Sequence, residues 1–112
     1  MKIDTRMIND VRILDCTGKI LLGEGTMSIR NSVREGLQSG ARKILLNLAN
    51  VDYIDSSGVG ELVSTYTSVT SSGGQLKLLG LTKKIRELLA ITKLLTVFDT
   101  YDDEKTALAK FQ

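Results

Sequence analysis

The densest group of chemically capable side chains in this sequence is Asp55-Ser56-Ser57-Gly58-Val59-Gly60-Glu61. A carboxylate beside two hydroxyls and two glycines admits three chemistries: attack by an activated serine, phosphate binding by a glycine turn, or acceptance of a phosphoryl group. The first needs a base, and the chain contains no histidine. That removes Ser-His and Cys-His pairs, histidine-containing zinc sites and any histidine general base. A nucleophile elbow also requires glycine two residues before and two after its serine. Ser56 has Ile54 and Gly58 at those places, and Ser57 has Asp55 and Val59. The second chemistry fails on spacing. Gly58-Val59-Gly60 begins a dinucleotide fingerprint, but its third glycine position is Val63, and no acidic residue for a ribose lies between Leu62 and Arg86.

The elements that must position this segment follow from hydrophobic periodicity. Ile3 to Ile8 and Val11 to Cys16 read as two strands of a hairpin turned at Asn9-Asp10. Thr26 stands where a cap is expected for a helix with Ile29, Val33 and Leu37 on one stripe, closed by Gly40. Lys43 to Ala49 is an almost continuous apolar run, the pattern of a strand covered on both faces. Val59, Leu62, Val63, Tyr66 and Val69 then define an amphipathic helix from Gly58 to about Ser71. Further on, Gly73-Gly74 breaks that helix and Gln75 to Leu79 forms a strand. Thr82 caps a helix with Ile85, Leu88 and Leu89, Thr96 to Phe98 is a last short strand, and Asp102 or Asp103 caps a closing helix with Leu108 and Phe111. Strand and helix alternate, so the expected fold is α/β with a mostly parallel sheet and functional loops at the carboxyl edge of its strands.

Composition narrows the function further. With 42% hydrophobic and 25% charged residues over 112 positions, one compact domain spanning 1–112 is expected. No apolar run approaches the roughly 18 residues of a membrane span, and no signal-peptide pattern opens the chain, so a cytoplasmic protein without membrane insertion is expected. The net charge is +2, the basic residues are scattered, and 3 Tyr and 2 Phe are the only aromatics, which argues against nucleic acid as the partner. Cys16, without a second cysteine, reads as a small buried hydrophobe. A protein partner is the expected default.

Placed between a buried strand and a helix, Asp55-Ser56-Ser57-Gly58 sits where unpaired amides and the positive helix end point outward. Asp55 or a serine serves as the cap, yet one cap needs one side chain and three compete. The third chemistry therefore remains. A phosphoryl group on Ser56 or Ser57 would bring about −1.5 to −2 charges to a place where amides and dipole accept it, and would repel a docked partner without unfolding the domain.

The same residues carry a family resemblance. Asn47-Leu48 in the buried strand, Val51-Asp52-Tyr53-Ile54-Asp55-Ser56-Ser57-Gly58-Val59-Gly60 after it, the pair Gly73-Gly74 and the order of elements resemble the STAS domains, and among them the bacterial anti-sigma factor antagonists. The resemblance implies a single STAS-like α/β domain, with a mostly parallel or mixed sheet of about five strands and about four helices. It implies that the unmodified protein binds an anti-sigma factor that is itself a serine kinase, freeing the sigma factor for transcription. It further implies that the kinase, supplying ATP and magnesium, phosphorylates the serine before the glycine, here Ser57, with Ser56 the lesser candidate. A serine phosphatase reverses the mark, and the chain itself needs no cofactor or metal. Partner contacts implied by the resemblance are Asp55, Ser56, Ser57 and Gly58; Leu62, Ser64, Thr65 and Ser68 lie along or beside the helix commonly used for docking, and a core stripe and a solvated face explain them equally well.

One departure stands out: the family often carries an acid after the second strand, and here Leu21 holds that place in Gly18-Lys19-Ile20-Leu21-Leu22-Gly23-Glu24-Gly25. Either Glu24 substitutes, or Leu21-Leu22 forms an apolar docking spot. Lys83, Lys84 and Arg86 open a helix at the same edge, facing either an acidic partner or solvent. Two other classes compete with the antagonist: a STAS scaffold of a stress-sensing or lipid-transport complex, in which Ser57 only caps a helix, and a small enzyme, disfavoured by the missing histidine. The purified chain is expected neither to hydrolyse ATP nor to bind NAD. Turnover that survives repurification and disappears on mutating the serine loop, or saturable micromolar NAD binding, would contradict this.

Overall fold

The N-terminal hairpin forms as its pattern suggests. In the computed structural model, which describes residues 1–112, β1 (Lys2–Ile8) pairs antiparallel with β2 (Val11–Ile20) across Asn9 and Asp10. Asn9 takes the left-handed backbone, φ 57°, that this tight turn requires. From β2 the chain runs through α1 (Glu24–Gln38), β3 (Lys43–Ile54), α2 (Ser56–Ser71), β4 (Gln75–Leu79), α3 (Lys83–Ile91), β5 (Asp99–Tyr101) and α4 (Glu104–Ala109). The sheet order is β1-β2-β3-β4-β5, with every pair after the first parallel. The five strands, four helices and mixed sheet agree with the expected α/β class.

Strand alternation divides the core in two. One face presents Leu14, Cys16, Ile20, Ile44, Leu46, Leu48, Leu76 and Leu78 to α1, α2 and α3, which return Ile29, Val33, Leu62, Val69, Ile85 and Leu89. The other face turns Val11, Ile13, Leu45 and Leu79 to α4 through Ala107, with Tyr101, Leu108 and Phe111 beside them. Because α4 is short, this second face also carries polar side chains, and these bond to one another. Arg6 grips Asp15 through Nε at 2.6 Å and Nη2 at 3.1 Å, reaches Glu104 on α4, and Asn47 Nδ2 donates to Asp15 Oδ1 at 2.8 Å. The Asp15 carboxyl is held below its ordinary pKa chiefly by the Arg6 hydrogen bond. Asn47, conspicuous in an apolar run, is thus a link from β3 to the β1–β2–α4 cluster. Nearby, the almost fully buried Lys77 keeps its ammonium 3.1 Å from Asp99 and over the rings of Tyr101 and Phe111.

Several boundaries differ from those read off the sequence. β2 continues past Cys16 to Ile20, and β3 continues past Ala49 to Ile54, because the two strands pair along their full length. Register shifts at Asp15/Thr17 and Gly18/Lys19 accommodate the positive φ of Gly18 within the strand. α1 begins at Glu24 after Gly23, and Thr26 lies inside its first turn, where its Oγ1 accepts from Gly23 N at 3.2 Å. α2 starts at Ser56, two residues before Gly58. The last strand is Asp99–Tyr101, not Thr96 to Phe98. Residues 95–97 form a turn that leaves Thr96 and Val97 exposed and directs Phe98 into the core, where it meets Tyr66 edge to face with centroids 5.5 Å apart. Thr82 and Asp103 do cap α3 and α4. Cys16 is buried and its thiol pKa is pushed up to about 12 by burial, consistent with a packing role.

Candidate functional site

The serine segment occupies the carboxyl edge of the sheet, at the junction of β3 and α2. Asp55 is the cap. Its Oδ1 accepts from Gly58 N at 2.7 Å, and its Oδ2 accepts from Leu22 N at 3.1 Å, in the loop that follows β2. The backbone adds a third tie, Asp55 N donating to Ile20 O at 3.3 Å. One carboxylate therefore satisfies an orphan amide of α2 and fixes the neighbouring loop. These donors, Gly58 first and Leu22 second, hold the Asp55 carboxyl below its ordinary pKa, so it is ionised at neutral pH.

Gly58 has a steric reason to be glycine. A Cβ there would lie 2.4 Å from Ile20 O and 2.5 Å from Ile54 Cγ1. Gly25 is pressed in the same manner, with Lys19 O 2.7 Å from the corresponding position. Both helix starts are thus seated directly on the end of β2. Gly60 meets nothing within 4 Å and leaves open space beside the serines.

With the cap supplied by Asp55, the serines are released from that duty. Ser56 is exposed and Ser57 half-buried, and neither hydroxyl enters a hydrogen bond within the chain. They are the first two residues of α2, on the positive end of its dipole. Leu21 is 37% and Leu22 75% exposed beside them. Tyr53, also exposed, carries the Lys84 ammonium 4.6 Å above its ring and extends the edge toward α3. The sheet thus brings Asp55, Ser56, Ser57, Gly58, Leu21 and Leu22 together.

Other expected contacts fall elsewhere. Leu62 has no exposed surface and packs in the main core, which removes it from any partner interface. Its place in the i, i+3, i+4 stripe is the reason. Thr65 is likewise buried, donating to Glu61 Oε2 at 3.3 Å, while Ser64 and Ser68 are exposed. Glu24 makes no hydrogen bond to Ser56 or Ser57. Its carboxylate accepts from the Met1 amino group at 3.1 Å and from Ser28 Oγ at 3.3 Å. Lys83 sits 3.9 Å from Glu87, and Arg86 sits 3.4 Å from Asp102, so both have partners within the chain.

Two features escaped sequence reasoning. Asp55's second donor is the backbone of Leu22, which no residue type announces. Glu61, whose side chain is 4% exposed, joins α2 to α1 through Arg30 Nη2 at 2.7 Å and Nε at 3.1 Å. Glu61 lies off the apolar stripe of α2, so its spacing gave no signal of burial; only its being the sole acid of that helix marked it. No group of three potential metal-ligating side chains converges anywhere in the chain.

Comparison with known proteins identifies the family and the fold. The family model described as STAS domain matches residues 2–107, and the chain belongs to that family. A Thermotoga neapolitana protein named as an anti-sigma factor antagonist, a homologue of TM1081, is 31% identical over 107 residues, covering 96% of this chain and 95% of that one. The crystal structure of TM1081 from Thermotoga maritima, a protein assigned to the anti-sigma factor antagonists by name, superposes with a TM-score of 0.89 at 28% identity, over 97% of this chain and 93% of its own. The Bacillus cell fate determinant SpoIIAA in its phosphorylated form shares the fold at a TM-score of 0.73 and 18% identity, over 96% of this chain and 98% of its own.

The two glycines of the motif separate packing from surface. Gly58→Ala is expected to destabilise the domain by about 1–3 kcal/mol, because the clash is with backbone. Gly60→Ala should leave stability unchanged or raise it by up to about 1 kcal/mol through helix propensity. Urea unfolding of both variants measures the contrast, and equal effects would contradict the close approach of α2 to β2.

Proposed function

We propose that this protein is an anti-sigma factor antagonist whose dock is the carboxyl edge built on Asp55, Ser56, Ser57, Gly58, Leu21 and Leu22. In this reading the unmodified chain binds an anti-sigma factor that is a serine kinase. The kinase brings ATP and magnesium and transfers a phosphoryl group to Ser57, and the complex separates. A serine phosphatase restores the binding form. The observation that carries the reading is the division of labour at the start of α2: Asp55 caps the helix, leaving the Ser57 hydroxyl without a bond of its own. Names of the related proteins support the antagonist role, and a SpoIIAA structure in a phosphorylated form supports a modifiable site on this fold.

The chemistry requires little of this chain. Ser57 supplies the attacking hydroxyl oxygen, and its proton leaves to a base on the kinase, since the nearest carboxylate, Asp55, is occupied by two amides. The product phosphate lies at the positive end of α2, whose dipole favours negative charge. Its effect is on the surface: an added charge of about −1.5 to −2 beside Asp55 opposes an acidic or apolar partner seated on Leu21 and Leu22. Leucine in place of the family's usual acid makes the apolar contact the larger part of this dock.

Three proteins test the assignment by calorimetric titration against the cognate kinase. Ser57→Ala should fold with stability within about 0.5 kcal/mol of wild type, because it loses no hydrogen bond, should bind normally and should accept no phosphate. Ser57→Asp should stay folded and bind at least about tenfold more weakly, ~1.4 kcal/mol or more. Equal affinities for all three would support the scaffold role, and normal phosphorylation of Ser57→Ala would move the site to Ser56.

A further inference from the structure

The outer edge of β1 is unclaimed by the chain, and its charges are arranged to complement themselves. β1 is the terminal strand of the sheet, seven residues long and free of proline and bulges. The two-residue turn makes Ile8 and Val11 a hydrogen-bonded pair, so alternation turns the N–H and C=O of Lys2, Asp4, Arg6 and Ile8 toward β2. Those of Ile3, Thr5 and Met7 face outward, and none takes part in any loop or side-chain hydrogen bond. Met7, on the α1 side of the sheet with Ile3, is 55% exposed. We propose that this edge pairs with β1 of a second copy, antiparallel about a two-fold axis through Thr5, giving one continuous ten-stranded sheet.

The register follows from charge. With Thr5 on the axis, Thr5 pairs with Thr5 of the second copy, and Ile3 pairs with Met7 across the seam, covering that exposed side chain. Asp4 faces Arg6 of the second copy, twice by symmetry. Lys2, whose ammonium is 3.8 Å from Asp4, offsets the carboxylates of Asp15 and Glu104 that already flank Arg6. Centring the axis on Asp4 would oppose Asp4 to itself and Lys2 to Arg6. Centring it on Arg6 would oppose two arginines. A one-residue slip turns every side chain to the wrong face. Alternating charges on an edge usually prevent pairing, and here they disfavour the Asp4 and Arg6 axes. An axis through Ile3 would also set Lys2 against Asp4, but it pairs only residues 1–5, whereas the Thr5 axis engages all seven residues of β1.

A contact of this length buries little area and belongs to the weak class of interfaces. The two-fold axis sends the carboxyl edges of the copies in opposite directions, so both Ser57 sites remain open. Association is therefore independent of the phosphoacceptor reading.

Sedimentation equilibrium of the full chain at rising concentration tests the pairing. The wild-type mass should climb from 12.3 kDa towards twice that value by about 1 mM protein. Asp4→Arg places arginine against Arg6 of the second copy and should hold the mass at 12.3 kDa throughout. Thr5→Pro removes only an outward N–H and should do the same, with circular dichroism showing the fold retained. If Thr5→Pro does not fold, Asp4→Arg decides alone, since its side chain is exposed. A wild type that stays at 12.3 kDa, or association that survives in either folded variant, overturns the proposal.

Discussion

The Asp55 carboxylate is the constraint on which the site depends. Its two oxygens hold the amides of Gly58 and Leu22, so one side chain ties the start of α2 to the loop after β2. A cap normally serves one helix. Here it also sets the relative position of two surface elements, and the residues exposed between them, Ser56, Ser57, Leu21 and Leu22, inherit that geometry. Ionisation is part of the arrangement: a neutral carboxyl accepts from two amides less well, and the two bonds in turn hold the proton off. The lowered pKa means that this contribution is full above the ordinary carboxylate value and is lost as pH falls through the lower, folded one.

Close backbone approach completes what the carboxylate begins. Gly58 and Gly25 let both helix starts rest on the end of β2, where a methyl group would meet carbonyl oxygen. Strand β3 reaches that end because it pairs with β2 as far as Ile54, well beyond its last pairing with β4 at Asn47. Behind this edge the main core is aliphatic and closely covered by three helices. The opposite face is tied by Arg6, Asp15, Asn47 and Glu104, which fasten the short α4 across strands far apart in sequence. The serine edge is thus held by a closely packed, hydrogen-bonded frame.

Much of this was legible in the residues, for reasons that differ by element. The stripes of α2 and α3 and the apolar run of β3 report burial directly, and Thr82 and Asp103 cap where their types indicate. Strand ends were harder to place, because residues 17–20 and 50–54 mix polar with apolar side chains, the first of them around a glycine, and their pairing is a long-range property. The shift of the last strand to Asp99–Tyr101 arises because Phe98 is needed in the core. At the site, the serine motif named its own place, but the choice among three possible caps was decided by Asp55 alone reaching two amides. Leu62 illustrates the opposite case: its spacing belonged to the core stripe, and the core holds it.

The central claim is that Asp55 joins the two loops in solution and so presents a preformed serine platform. Amide resonances of Leu22 and Gly58, followed from pH 7 to about pH 2, test it most directly, since both donors bond the same carboxylate. The account predicts that the two shift together with one midpoint, below that of an ordinary aspartate, and that Asp55→Asn abolishes both titrations. Independent midpoints, or a common one at the ordinary carboxylate value, would contradict it.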